Sequence, residues 1–278
     1  MRDIFLDPTL QARFNRDGFV QVQFLEPDDV RELIALHDQY EGRMPAHELT
    51  FTMMSSDADH RRAQFVGLRE VMRRRIDRVL DRCQAVVGNF FLKRPGDTGG
   101  LGIHQDWSFV DEQLHQSLTI WCPLAEVNET NGTLSLVPGS HRLGSHVRAF
   151  MYEFDYPHLE PVLKARYSHP VSARPGEAIM FHQRLFHWSG PNRTPTGRLA
   201  ANCFVAPVEA QVVFPYRDAA NPDQVELFAA DDEVWASFAL GGRPANAPRL
   251  AVIQSRPAPL TEADLERELR PYRREVGV

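Results

Sequence analysis

PGEAIMFHQRLFHWSGPNRTPTGRLAANCFVAPV (175–208) is a turn, an apolar run, a stretch dense in turn formers and a second apolar run. The first run predicts a strand ending at His182, and the second a strand over 198–208. The same rhythm holds upstream. AVVGNFFLK (85–93) stops at Pro95-Gly96, SLTIWCPL (117–124) is rich in β-formers, and TLSLVPGSH (133–141) alternates until Pro138-Gly139. Strands at short spacing with Pro/Gly turns predict an antiparallel sandwich or open barrel.

Helices precede these strands. Residues 8–41 read as helix, short strand, helix. In PDDVRELIALHDQY, Val30, Leu33, Ile34 and His37 share one helical face, and Pro27 with two Asp suits a first turn. A second helix is predicted over 60–82, with Phe65, Leu68, Val71, Ile76 and Leu80 as its apolar stripe. Helices first and strands after give an α+β class, mainly β, with N-terminal helices packed on one β core. One domain, 1–278, is expected, divided into a helical part (1–82), the β core (83–208) and a C-terminal lid or extension (209–278). Within the last, 221–248 reads as a lid, a dimer contact or plain surface. LTEADLEREL (260–269) predicts a helix capped by Thr261.

The 278 residues are 43% hydrophobic and 24% charged, an ordinary soluble balance. A net charge of −6 argues against a general nucleic-acid binder. The three cysteines, Cys83, Cys122 and Cys203, are dispersed and read as reduced thiols. No run has signal-peptide character or bilayer length, so the expected setting is cytoplasmic, without membrane contact, as a monomer or homodimer.

GIHQDWSF (102–109) places His104 and Asp106 two apart. With 11 His and 37 acidic residues, about 1.5 such pairs arise by chance. Two occur, the other being His158/Glu160 in the Pro-bounded YPHLEP, read as a surface loop. On a strand, i and i+2 share a side with Cα atoms roughly 6.6 Å apart, so both could reach one ion. A third ligand would complete a 2-His-1-carboxylate set, which suits non-haem Fe(II) and leaves three positions open. His187 is the first choice and His182 its rival. SGPNRTPTG could loop Arg198 back beside His187 as a bidentate carboxylate partner, with Arg193 as the alternative. His141 reads as structural. Trp107 and Phe109 fit either a pocket wall or burial, and Arg142 and Arg148 either an anionic substrate or solvent.

FNRDGFVQVQFL, FLKRPG, HQDW, LTIWCPLAEVNETNGTLSLVPGSHR and PGEAIMFHQRLFHWSGPNRTPTGR occur in the order of one family across most of 13–206. The chain resembles the phytanoyl-CoA dioxygenase family of Fe(II)/2-oxoglutarate oxygenases. The resemblance implies a double-stranded β-helix (jelly-roll, cupin-like) core. It implies that His104, Asp106 and His187 bind iron, that Arg198 grips the distal carboxylate of 2-oxoglutarate, and that Ser189 helps hold it. Trp121 falls near another co-substrate position. Asn89, Lys93 and Thr119 are candidates for the other end of 2-oxoglutarate. The implied reaction uses O2 to hydroxylate a C–H bond of a small metabolite, releasing succinate and CO2, with desaturation, epoxidation or ring formation as variants. Two other classes fit the residues: a metal- or ligand-binding β-helix protein without turnover, and a zinc-dependent hydrolase or isomerase on a cupin-like barrel.

Overall fold

The computed structural model describes residues 1–149, 154–237, 242–244 and 246–274. Its strands in chain order are β1 (Phe19–Gln23), β2 (Leu49–Phe51), β3 (Cys83–Lys93), β4 (Leu101–His104), β5 (Leu118–Pro123), β6 (Leu134–Leu136), β7 (His169–Pro170), β8 (Glu177–His182), β9 (His187–Ser189), β10 (Arg198–Pro207), β11 (Val213–Tyr216), β12 (Gln224–Ala229) and β13 (Arg249–Gln254). Six form one antiparallel sheet in the order β1-β8-β5-β10-β3-β2, and four form a second, β4-β9-β6-β7. From β3 to β10 the chain passes repeatedly from one sheet to the other. That winding is the expected jelly roll.

Between the sheets pack Trp121, Leu134, Leu136, Ile179, Phe181 and Ala200. The other face of the large sheet, with Ile120, Cys122, Met180, Ala201 and Cys203, packs on the N-terminal helices. Both faces of β5 are therefore buried, which is why SLTIWCPL reads as a continuous apolar run rather than an alternating one.

Three helices cover that outer face. α1 (Pro8–Asp17) starts at Asp7, whose side chain accepts from the Thr9 amide at 2.7 Å, and stops at Gly18. Gly18 has φ +83°, and a Cβ there would lie 2.4 Å from His141 Nδ1, so the turn and the close approach both require glycine. α2 (Pro27–Asp38) buries Val30, Leu33 and His37. α3 (Ala58–Ile76) buries Phe65, Leu68, Val71 and Ile76 but ends six residues short of the predicted 82. Leu80 is buried outside the helix, beside Phe5, in an isolated β-bridge.

Two further segments gain detail. TLSLVPGSH contributes only the three residues of β6, since Gly139 at φ +80° turns the chain into a short 3-10 helix, Ser140–Arg142. The C-terminal part holds a third antiparallel sheet, β11-β12-β13, and a short helix, Asp232–Ser237. Trp235 from that helix joins Trp107, Phe109, Phe204, Phe214 and Phe228 in one aromatic cluster. Part of the segment read as a lid, 238–241 and 245, lies outside the described residues. The helix over Glu262–Leu269 forms with Thr261 as its cap. Among the described residues no helix is long and apolar enough to cross a membrane.

Candidate metal centre and adjoining cavities

The topology brings β4 and β9 together as neighbours in the small sheet, with His104 and His187 as Cα partners. Their rings sit 4.1 Å apart between centroids. Asp106 is not on the strand. The chain leaves the sheet after His104, and the Asp106 amide instead donates to the Gln183 carbonyl at 2.9 Å. Convergence of His104 and Asp106 thus comes from this anchored turn rather than from strand periodicity. Asp106 Oδ1 lies 4.0 Å from His104 Nε2 and 3.7 Å from His187 Nε2. The three ligand atoms lie within 4.8 Å of one another.

Each imidazole is oriented by the main chain two residues before it. His104 Nδ1 lies 2.8 Å from the Gly102 carbonyl, and His187 Nδ1 2.9 Å from the Leu185 carbonyl. A carbonyl only accepts, so Nδ1 carries the proton and Nε2 presents its lone pair to the centre. Burial holds both imidazoles down at about 4, so they are neutral, ligand-competent bases at physiological pH. Burial also raises the Asp106 carboxyl, opposed by His104 and by the Thr119 hydroxyl bonded to Oδ2. The carboxylate is held in a dry place with Arg148 as a nearby cation, and a divalent ion bound by the three ligands would favour its charged form further.

Arg148, read from sequence as a contact for substrate or solvent, is buried. Its Nε donates to the Asp106 carbonyl at 2.7 Å and its Nη2 to Glu112 at 2.6 Å. It holds the Asp106 turn and faces neither. Arg142 instead donates to the carbonyl of Arg16. Replacing Thr119 with valine keeps the shape and removes the hydrogen bond on Asp106. Loss of such an outer contact weakens metal binding by about 10- to 100-fold. Fe(II) or Mn(II) titration of Thr119→Val against wild type measures it.

A cavity of about 50 Å³ opens beside His187, lined by Lys93, Trp121, Ser189, Arg198 and Asn202 among others. Arg198 is buried, with Nη2 donating to the Gly132 carbonyl at 2.7 Å and its guanidinium 5.4 Å over the Trp121 ring. Its Nη1 has no partner. Burial lowers the guanidinium only to about 10, so it stays cationic at neutral pH. Lys93, opposite Arg198 in the β3–β10 ladder, donates from Nζ to Ser189 Oγ at 2.8 Å, to the Ser189 carbonyl at 3.2 Å and to the Gly190 carbonyl. A buried arginine with an unsatisfied nitrogen on the wall of a small cavity fits a carboxylate.

Thr119, expected at the far end of the co-substrate, bonds to Asp106. Asn89 lines a second, larger cavity of about 330 Å³ on the other side of the His104/Asp106 turn. The rivals fall away. His182 belongs to β8 but turns toward the helices, stacked on Phe14 at 5.9 Å, with Nδ1 accepting from the Arg184 amide. Arg193 is exposed and pairs with Asp97. His141 is buried under α1, 3.1 Å from the Asn15 carbonyl. His158 sits in a short 3-10 helix rather than a loop. Trp107 lines the larger cavity, whereas Phe109 packs behind it. Asn202 escaped the sequence reading and lines both cavities. Its signal was present: 198, 200 and 202 share a strand face, so Asn202 points where Arg198 points.

The family model for phytanoyl-CoA dioxygenase (PhyH) matches residues 14–200. Phytanoyl-CoA dioxygenase 1 of Oryza sativa subsp. japonica is 30% identical over 128 residues, 45% of this chain and 46% of that protein. The probable alpha-ketoglutarate-dependent hypophosphite dioxygenase of Stutzerimonas stutzeri is 27% identical over 101 residues, 34% of this chain and 35% of that one. The chain thus aligns with less than half the length of these curated relatives. Among solved structures, the epimerase SnoN in complex with Fe3+, alpha ketoglutarate and nogalamycin RO superposes with a TM-score of 0.54 at 21% identity, covering 74% of this chain and 87% of that chain. EctD from S. alaskensis with 2-oxoglutarate and 5-hydroxyectoine gives 0.53 at 20%, covering 74% and 78%. At these identities the two share the fold.

Proposed function

Because the chain belongs to the phytanoyl-CoA dioxygenase family, we propose that it is an Fe(II)- and 2-oxoglutarate-dependent dioxygenase hydroxylating a C–H bond of a small molecule, with release of succinate and CO2. The carrying observation is one junction: three free ligand atoms converge beside a buried arginine with an unpartnered nitrogen. The oxygenase family supplies the expectation, and this donor set fits it.

His104, Asp106 and His187 would hold the ion, a ligand set that suits Fe(II) and would leave room for the co-substrate. Thr119 and Arg148 fix the carboxylate from its side chain and its backbone. Arg198 anchors the distal carboxylate of 2-oxoglutarate in the small cavity, with the Ser189 hydroxyl as a second donor and the Trp121 ring holding the guanidinium in place. Lys93 adds positive charge against the same anion. Iron with 2-oxoglutarate and O2 supplies the oxidising power for an unactivated C–H bond. The chain's part is to place the co-substrate at the ligand set, exclude water with aromatic walls and hold the substrate in the larger cavity. A zinc hydrolase would have no use for Arg198. The C-terminal sheet and its short helix serve the same unit, since Phe214, Phe228 and Trp235 pack behind Trp107.

Anaerobic titration of metal-free protein with Fe(II) and then 2-oxoglutarate tests the reading without knowledge of the substrate. A visible metal-to-ligand charge-transfer band supports it. Bound iron with no band on adding 2-oxoglutarate refutes it.

A pH dependence follows from Lys93. Burial, then the neighbouring Arg198, hold its ammonium down at about 7. A bound dicarboxylate favours the charged form and raises that value. Affinity for 2-oxoglutarate is therefore greatest below pH 7 and falls as pH rises through the free-state value. Calorimetry at pH 6.5 and 8.5 on anaerobic Fe(II) protein should show this decline, and Lys93→Met should flatten it.

A further inference from the structure

The larger cavity has an occupant class written on its walls. Phe51, Phe91, Trp107, Phe154 and Phe204 line it, with Met53. Among the described residues its only ionisable lining groups are His104 and Asp106, which belong to the metal centre, and no Lys or Arg lines it. An anion enclosed between these walls would be unpaired, which is costly.

Side-chain amides interrupt the aromatic surface. Asn89 and Asn202 are Cα partners on β3 and β10, both buried, and the Oδ1 atom of each lacks a hydrogen-bond partner. Gln105, also on the wall, already spends its Nε2 on the Arg184 carbonyl at 2.7 Å. Buried amide oxygens without partners await a donor. Asn202 also borders the cavity holding Arg198, so a group bonded to it lies close to the ligand triad.

We infer that the part of the substrate enclosed by this cavity is uncharged and ring-bearing, with a hydroxyl or amide N–H that donates to Asn89 and Asn202. The oxidised carbon lies close to that polar group. This inference rests on the oxygenase reading only for the oxidation itself. The choice of occupant is tested by binding to metal-free protein, so its failure is distinct from a missing charge-transfer band.

Equilibrium dialysis with 2-naphthol, naphthalene and 2-naphthoate makes the test. Naphthalene reports the aromatic walls and 2-naphthol adds one donor. The wild type should hold 2-naphthol up to about tenfold more tightly than naphthalene, the worth of one hydrogen bond to a buried acceptor. 2-Naphthoate should bind at least about tenfold more weakly than 2-naphthol, since its carboxylate finds no cation. Asn202→Leu and Asn89→Leu should erase the advantage of 2-naphthol and leave naphthalene unchanged. Comparable binding of 2-naphthoate, no preference for 2-naphthol, or no uptake of naphthalene would each overturn the inference. The probe series on wild type stands even if a variant fails to fold.

Discussion

Asp106→Ala is expected to eliminate the Fe(II)/2-oxoglutarate charge-transfer band and turnover, yet leave the metal-free protein folded. Losing an outer contact such as Thr119 costs up to about a hundredfold in metal affinity, and losing the ligand itself must exceed that. The stability argument has the opposite sign. Burial raises the Asp106 carboxyl, so the folded state binds more protons than the unfolded one between the ordinary and the raised value. Stability contributed by this group therefore falls as pH climbs through that window, and above it the bare carboxylate is a net cost. Alanine removes the cost, less the hydrogen bond from Thr119. Thermal melts of metal-free variant and wild type at neutral pH should place the variant level or higher, while iron titration separates the two proteins. A variant that binds iron normally would remove Asp106 from the ligand set.

Arg198→Met makes the second large change, at a different step. Truncating one member of a buried charge pair costs about 2–4 kcal/mol, or roughly 30- to 1000-fold in affinity. The loss should fall on 2-oxoglutarate alone. Among the described residues Arg198 bonds to the carbonyls of Gly132 and Asn131 and lies over the Trp121 ring, none of them a metal ligand. Fe(II) affinity of the variant should equal that of wild type, and the band should return only at much higher 2-oxoglutarate. Equal losses of both ligands would mean that the residue supports the fold rather than the co-substrate. Gly132 belongs to the same device. It has φ +77°, and a Cβ would stand 2.4 Å from the Gly190 carbonyl, so the loop that braces Arg198 closes only around a glycine.

The β core was legible because its strands are short, apolar and punctuated by Pro and Gly, and because the large sheet is buried on both faces. His187 and Arg198 could be paired because the loop between them is almost all turn formers. Other features have no local signature. Asp106 owes its place to the backbone of Gln183, a contact across the fold that strand periodicity imitated by coincidence. Leu80 continues the apolar stripe of α3 without being helical, because its burial beside Phe5 asks only for an apolar residue. Thr119, a candidate for the other end of 2-oxoglutarate with no fixed motif behind it, has its hydroxyl on Asp106. Arg148 looked like any surface arginine until Glu112 was brought to it across 36 positions. The C-terminal sheet was illegible because β13 is largely exposed and β12 buries only Val225 and Phe228, three apart and out of step with strand alternation.

The two imidazoles are steered by carbonyls of residues 102 and 185, atoms that every amino acid possesses. No side-chain replacement at either position deletes those acceptors. The walls of the larger cavity, by contrast, are made of side chains, each open to exchange by a single codon. A lineage built on this scaffold can therefore alter what it oxidises while its orienting bonds stay intact, so novelty and inheritance are written in different parts of the same polymer.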